Sequence, residues 1–316
     1  MKYFLFIVLI FSYLNASNID SKEEKITKNY KKIIASVDDM NDTDAQHTIS
    51  KKIEGLFGLK PHDKNYILPL SYREGTYTSY VPSDEYQNTE AEMQISLKYD
   101  ASVNLFGFDE IYSLAYTQKS MWQIYTDSSP FRETNYSPEA LVSIPIYHNS
   151  DILSLKMIRF SLSHQSNGQA DVTDLIDNNI SVTGKGVQAS WFESRSRSWN
   201  YISTTIVTQH KSLFLGLKGW YRLPETPEEN DNPDLIDYIG NGEFFFLYPY
   251  KQAFYKGTLR HNLQTGKGSV EFSLSYPVAH QENVFWFAKV FSGYGETLID
   301  YNNYITKFAL GFSFSR

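Results

Sequence analysis

The sequence predicts an all-β protein, an antiparallel transmembrane β-barrel of twelve strands preceded by a short N-terminal helical arm. Three observations carry that expectation. Aromatic residues make up 16% of the chain, with 24 Tyr and 21 Phe, yet 21% of residues are charged and the mean hydropathy is −0.40. A closed barrel reconciles these values, because each strand turns alternate residues to lipid and to a wet lumen, and aromatic girdles mark both interfaces. From Tyr66 onward polar and apolar residues alternate with the period of two that defines strands. No stretch after the first sixteen residues approaches the roughly 18 apolar residues of a spanning helix, so any membrane crossing must be made by strands.

In chain order, residues 1–16 read as a secretory signal peptide. Lys2 supplies positive charge, Tyr3 to Leu14 form an apolar run, and Asn15-Ala16-Ser17 provide a region for cleavage after Ala16 or Ser17. The run is shorter than the roughly 20 residues that cross a bilayer. Residues 17–64 read as a periplasmic arm, with too little apolar surface for a core of its own. Within it, 21–37 is expected to be helical. Ser21 and Glu24 make a capping box, and Ile26, Tyr30, Ile33, Ile34 and Val37 recur at helical spacing above a solvated Lys-rich face.

The barrel domain is expected over 65–316. Strands are predicted near 66–73, 91–100, 110–124, 135–146, 152–166, 197–209, 212–223, 237–248, 252–262, 268–277, 283–293 and 303–314. The number is even, as in bacterial single-chain barrels. The last is the cleanest: Tyr304, Thr306, Phe308, Leu310, Phe312 and Phe314 face one way, and Lys307, Ala309, Gly311 and Ser313 the other. A soluble sandwich would share this periodicity and bury the apolar face. The signal segment, the tyrosine load and the aromatic final strand weigh for the barrel. The ending Phe314-Ser315-Arg316 departs from the usual aromatic barrel terminus.

Bulk properties exclude some classes. The net charge of −7 argues against a nucleic-acid partner, which would require a basic surface. The absence of cysteine excludes disulfides, a lipid-modified N-terminal cysteine and any thiolate metal site.

Candidate chemistry lies on two of the predicted strands. On 152–166, Phe160, Leu162, His164 and Ser166 share a face opposite Ser161, Ser163 and Gln165. The apolar members mark that face as the lipid side, with His164 and Ser166 about 7 Å apart along the strand. On the strand from 197, Asn200, Ile202, Thr204 and Ile206 share the apolar face. Pairing of these two strands would set Asn200 beside His164. A hydroxyl nucleophile, an imidazole base and an amide that orients the imidazole suit nucleophilic acyl transfer. An amide supports an imidazolium less well than a carboxylate does, but it carries no charge to desolvate in lipid. His-x-Ser with a distant Asn is a weak signal by itself. Its outward face strengthens it, since polar groups at a lipid boundary are expensive unless used. Gln118, on the lipid face with Leu114, Tyr116 and Trp122, is a lone amide needing the same justification.

These motifs closely resemble those of the bacterial outer-membrane phospholipase A family. The resemblance runs from about Tyr66 to the C-terminus through Asn65-Tyr66, Tyr116-Thr-Gln-Lys-Ser120 with Trp122-Gln123, and Ser128-Ser-Pro-Phe-Arg-Glu-Thr-Asn-Tyr136. It continues in His164-Gln-Ser-Asn-Gly168, Ser196-Arg-Ser-Trp-Asn200, Asp231-Asn-Pro-Asp234 and Ser292-Gly-Tyr-Gly-Glu-Thr-Leu-Ile-Asp-Tyr-Asn302. It implies a calcium-dependent hydrolase of glycerophospholipid acyl esters, with A1, A2 and lysophospholipase activity, in the outer membrane of a Gram-negative bacterium. Activity in such a family belongs to the homodimer and the monomer is silent.

Carried across by motif, the resemblance implies a triad of Ser166, His164 and Asn200, with the Gly168 backbone N–H donating to the oxyanion. It implies an active-site calcium (Ca2+) held by the Gln169 carbonyl, Ser196, and Ser128 of the partner subunit. It implies a second calcium position at Asp171 and Asp231, and a dimer-interface role for Gln118. In the family only a few residues separate the positions of Gly168 and Ser196, whereas here 27 intervene. The stretch 170–194 is expected to be an extended extracellular loop. The reading from a different class is a passive porin or structural barrel. Twelve strands make a narrower cylinder than the 16–18 strands of open porins. The interior set Lys119, Arg159, Lys218, Lys256 and Glu271 has mixed signs that can pair and fill it.

Overall fold

The computed structural model describes residues 25–29, 31–33, 59–75, 77, 86–147, 152–169, 195–281 and 283–315. The signal segment 1–16, most of the 17–64 arm, the 170–194 insertion and Asp171 lie outside the described residues.

Thirteen strands are described: β1 (Leu59–Pro61), β2 (Tyr66–Arg73), β3 (Thr89–Val103), β4 (Ile111–Trp122), β5 (Phe131–Pro145), β6 (Ser154–Ser166), β7 (Ser198–His210), β8 (Leu213–Arg222), β9 (Gly242–Tyr250), β10 (Ala253–His261), β11 (Gly268–Pro277), β12 (Phe285–Gly293) and β13 (Ile305–Ser313). From β2 to β13 each pairs antiparallel with the next, and β13 pairs back onto β2, closing a twelve-stranded barrel. Closure leaves no open sheet edge in the wall, the condition for crossing lipid with strands. Among the described residues no helix is long and apolar enough to cross a membrane.

The alternation read from the sequence is the alternation of the wall. Phe160, Ile202, Ile206, Leu217, Phe272, Phe308 and Leu310 are exposed on the outside, while Ser161, Ser163, Ser203, Lys307 and Ala309 are buried inside. Ion pairs bridge the interior beside a cavity of about 550 Å³ lined by Lys218, Glu243, Lys256 and Arg260 among others. Lys307 reaches Glu296 at 2.8 Å, Glu92 at 3.2 Å and Glu90 at 3.3 Å. Arg132 bonds Glu90 at 2.9 Å and Asp300 at 2.5 Å, and Lys289 bonds Glu92. Each of these charges has an opposite charge beside it, as burial requires. Burial alone would raise the Glu296 carboxyl, but Lys307 and Lys119 hold it below its ordinary range.

The sheet begins at Leu59, within the segment assigned to the arm. β1 pairs with the far end of β3, so β1 and β2 run along one side of that strand with a break at 62–65. The break residues cross the bore: His62 bonds Glu139 at 3.2 Å, Asp63 bonds Lys256 at 3.1 Å, and Lys64 bonds Ser273. A helical stretch at 25–29 and 31–33 docks below, with Asn29 donating to the Asp109 carbonyl at 2.6 Å and Ile26 and Ile33 packed on Val103 and Ile111.

One predicted strand begins too early. Over the expected 237–248, the chain forms a helix at Leu235–Ile239, turns at Gly240 with φ +70°, and enters β9 only at Gly242. Leu235 and Ile239, four residues apart, bury one helical face against Trp199, Trp220, Leu298 and Tyr301. A five-residue helix is too short to print a 3.6 period on the sequence.

The start of β2 pairs with the end of β13, so the barrel's two chain ends share one rim. Counting alternate directions, β6 ends and β7 begins at the opposite rim. There the 294–304 loop folds inward: the Leu298 N–H donates to Asn135 and the Ile299 N–H to Glu133, each at 3.1 Å.

Candidate active site

Strand pairing brings the imidazole and the carboxamide together. The β6–β7 register sets His164 opposite Asn200, and His164 Nδ1 lies 2.9 Å from Asn200 Oδ1. Directly opposed residues of antiparallel strands have side chains on the same face, so the two share the outer wall with Phe160 and Ile202. Ser166 is the last residue of β6, two positions beyond His164 on that face, between Tyr136 of β5 and Ser198 of β7. All three are half-buried.

Beyond Ser166 the chain turns on Asn167, which is buried in the bore. Asn167 Nδ2 donates to the Arg195 carbonyl at 2.7 Å, and its Oδ1 accepts from the N–H groups of Arg197 at 3.0 Å and Gln169 at 3.3 Å. One inward amide thus ties together the two chain segments that flank 170–194. Gly168, beside it, has φ +64°, and a Cβ there would stand 3.0 Å from the Tyr136 ring. Glycine is required twice over, by the left-handed backbone and by the close approach.

Of the expected ligand residues that are described, Ser128, Ser196 and Asp231 sit at the same rim. Ser196 Oγ donates to Asp231 Oδ2 at 2.7 Å, joining two residues expected at separate calcium positions. Ser128 is exposed, with φ +62°, in the turn between β4 and β5, which Trp122 closes by donating to the Ser129 carbonyl at 2.7 Å. Gln118 accepts from the Tyr116 hydroxyl at 3.0 Å and donates to Ser120 at 3.4 Å. Ser120 in turn accepts from Thr134 at 3.1 Å. A short polar strip therefore runs across the outer wall toward Tyr136 and Ser166.

Two contacts are not readable from the sequence. Asn167 is one of two letters of its motif to which the sequence assigns no role. Glu225, in the loop after β8, accepts from Asn200 Nδ2 at 2.9 Å. No spacing rule finds that pair, because a folded loop and not a strand register creates it.

A closed barrel with an apolar exterior and an imidazole–carboxamide pair on its outer wall falls in the class of outer-membrane β-barrel enzymes. The family model described as Phospholipase A1 matches residues 42–191 and 191–314. Phospholipase A1 of Salmonella typhimurium is 30% identical over 260 residues, 81% of each chain. The outer membrane phospholipase A from Escherichia coli superposes with a TM-score of 0.70 at 28% identity, covering 85% of this chain and 97% of that one. The Salmonella typhi outer membrane phospholipase, solved as a dimer with bound calcium, gives the same TM-score, identity and coverage. An Escherichia coli structure described as an active-site mutant, asparagine replaced by alanine, is 27% identical with a TM-score of 0.70, covering 90% of this chain and 97% of that one. The chain belongs to the phospholipase A1 family, and it is a phospholipase of the Gram-negative outer membrane.

Proposed function

We propose that the protein hydrolyses acyl esters of glycerophospholipids, as A1, A2 and lysophospholipase, through Ser166, His164 and Asn200 on the outer wall of the barrel. The observation that carries this reading is the 2.9 Å contact of His164 Nδ1 with Asn200 Oδ1, with Ser166 two residues along the same lipid-facing strand. An amide oxygen only accepts, so it holds the proton on Nδ1 and leaves Nε2 as the base. Ser166 Oγ attacks the ester carbonyl as His164 Nε2 takes its proton. The Gly168 N–H, aimed by its left-handed backbone, donates to the oxyanion, the kind of interaction that usually contributes most to acyl transfer. The tetrahedral species collapses, His164 returns the proton to the departing alcohol, and water releases the fatty acid by the same route.

The donors at this rim fit calcium, which prefers hard oxygen ligands. Ser196 and the Gln169 carbonyl, with Ser128 of the partner subunit, would hold the active-site ion, and Asp231 with Asp171 a second one. The hydroxyl–carboxylate contact of Ser196 with Asp231 supports an oxygen-donor cluster. Held there, a cation would supply positive charge beside the developing oxyanion. Gln118 would bond across the interface of an active homodimer, the monomer being silent; the relative solved as a calcium-bound dimer supports that assembly. We further infer that 1–16 is removed as a signal, that the arm before Leu59 lies in the periplasm, and that the site therefore faces the outer leaflet.

In mixed micelles the purified protein is expected to release fatty acid, to stop on chelation and to recover with added calcium. Ser166→Ala is expected to abolish release while retaining heat-modifiable mobility as a folded barrel. Turnover by a folded Ser166→Ala protein, measured as fatty acid released, would remove Ser166 as nucleophile.

A further inference from the structure

We propose that Glu225 is a positioning residue for catalysis, placed behind Asn200 to supply the negative charge a carboxamide lacks. The proposal rests on the Ser166–His164–Asn200 reading. One Glu225 oxygen, Oε1, accepts from Asn200 Nδ2 at 2.9 Å. The other, Oε2, is gripped by Arg222 at 2.7 Å, and the glutamate side chain is only 9% exposed. Arg222 also bonds Asn230 Oδ1 at 2.7 Å, Asn232 Oδ1 at 2.8 Å and the Asn232 carbonyl at 2.6 Å, so the loop is wound around it. The Leu223 N–H donates to the Asn200 carbonyl at 2.7 Å, continuing the β7–β8 ladder up to the loop.

Two consequences follow from a carboxylate at that place. A carboxylate is an acceptor only, so it selects which end of the Asn200 amide turns toward the imidazole. The Nδ2 group must face Glu225, which leaves Oδ1 for His164. In a half-buried setting, its charge also polarises the amide and stabilises the imidazolium through one intervening hydrogen bond, since bonded chains strengthen one another where the dielectric is low. An anion directly beside the ring would sit on the lipid face at a high desolvation cost. One bond further back, inside a loop, it is balanced by Arg222. The bland alternative is that Glu225 merely fastens the loop to Arg222.

The two readings separate in a double-mutant cycle on the full-length protein in calcium-containing mixed micelles. Glu225→Gln is expected to lower kcat by roughly tenfold with KM unchanged, a fraction of what proton transfer by a positioned side chain contributes. In an Asn200→Ala background the same change is expected to have no effect. In Asn200→Asp, where the anion would stand beside a second carboxylate, it is expected to raise kcat. Equal losses with Asn200 present and in the Asn200→Ala background, or a change confined to KM, would assign Glu225 to loop fastening and overturn the proposal. Should Glu225→Gln fail to give a heat-modifiable barrel, Glu225→Ala enters the same cycle with the same expectations. Full turnover by Asn200→Ala alone is a distinct result, and it refutes the triad and not only the role of Glu225.

Discussion

At the scale of single residues, the site depends on atoms that have almost no freedom to move. Gly168 combines φ +64° with a Tyr136 ring carbon 3.0 Å from where a Cβ would be. Gly168→Ala must therefore rotate the backbone, which moves the N–H proposed to face the oxyanion, or displace the Tyr136 ring that stands beside Ser166. Loss of one such donor costs about 10²–10³ in kcat, and a loss of that size with KM little changed is expected in steady-state micelle assays. Of the proposed catalytic groups, the side chains were the legible part. A period of two fixes which face a residue takes, and sequence order makes β6 and β7 neighbours, so His164 and Asn200 could be set together from letters alone. Glu225 could not, because its contact is made by an irregular loop 25 positions away.

At the scale of elements, the neck joining β6 to β7 illustrates how an insertion is tolerated. Asn167 satisfies three backbone groups, one at Gln169 and two at Arg195 and Arg197, so the strand ends are held irrespective of the chain length between them. Asn167→Leu takes the partner from these three partly buried groups, each at a cost below the about 1–3 kcal/mol of a fully buried one. The variant is expected to fold with a lower unfolding midpoint in urea and to lose most of its activity through displacement of Gly168. The helix Leu235–Ile239 shows the reverse case of legibility. Its Leu and Ile resemble wall residues, but Gly240 turns the chain away, and the alternation resumes only from Gly242. Strand positions elsewhere were readable because lipid on one side and ion pairs on the other impose opposite chemistry at every second residue.

At the scale of the whole molecule, the bore is bridged by a salt-bridge network and the exterior carries the residues of the proposed chemistry. Lys307 is fully buried and touches Glu90, Glu92 and Glu296. Lys307→Met removes a cation and leaves carboxylates without it, and breaking a buried pair in this way costs about 3–5 kcal/mol. A fall in the temperature at which the barrel loses its heat-modifiable mobility is the expected outcome. Unchanged thermal behaviour would mean that water, and not Lys307, compensates those carboxylates. The charged interior was partly visible beforehand, since Lys119, Lys218, Lys256 and Glu271 fell on the inward phase. Which ones meet was not visible, because partners such as Lys307 and Glu90 lie 217 positions apart and are joined only by closure of the cylinder. That closure bears on how the molecule assembles. Lys307 arrives on the final stave, while Glu90 and Glu92 belong to the second strand of the cylinder. An unclosed ribbon would leave Glu90 and Glu92 only the cations of nearby staves, Arg132 and Lys119, so shutting the seam is also the event that completes the charge balance of the centre.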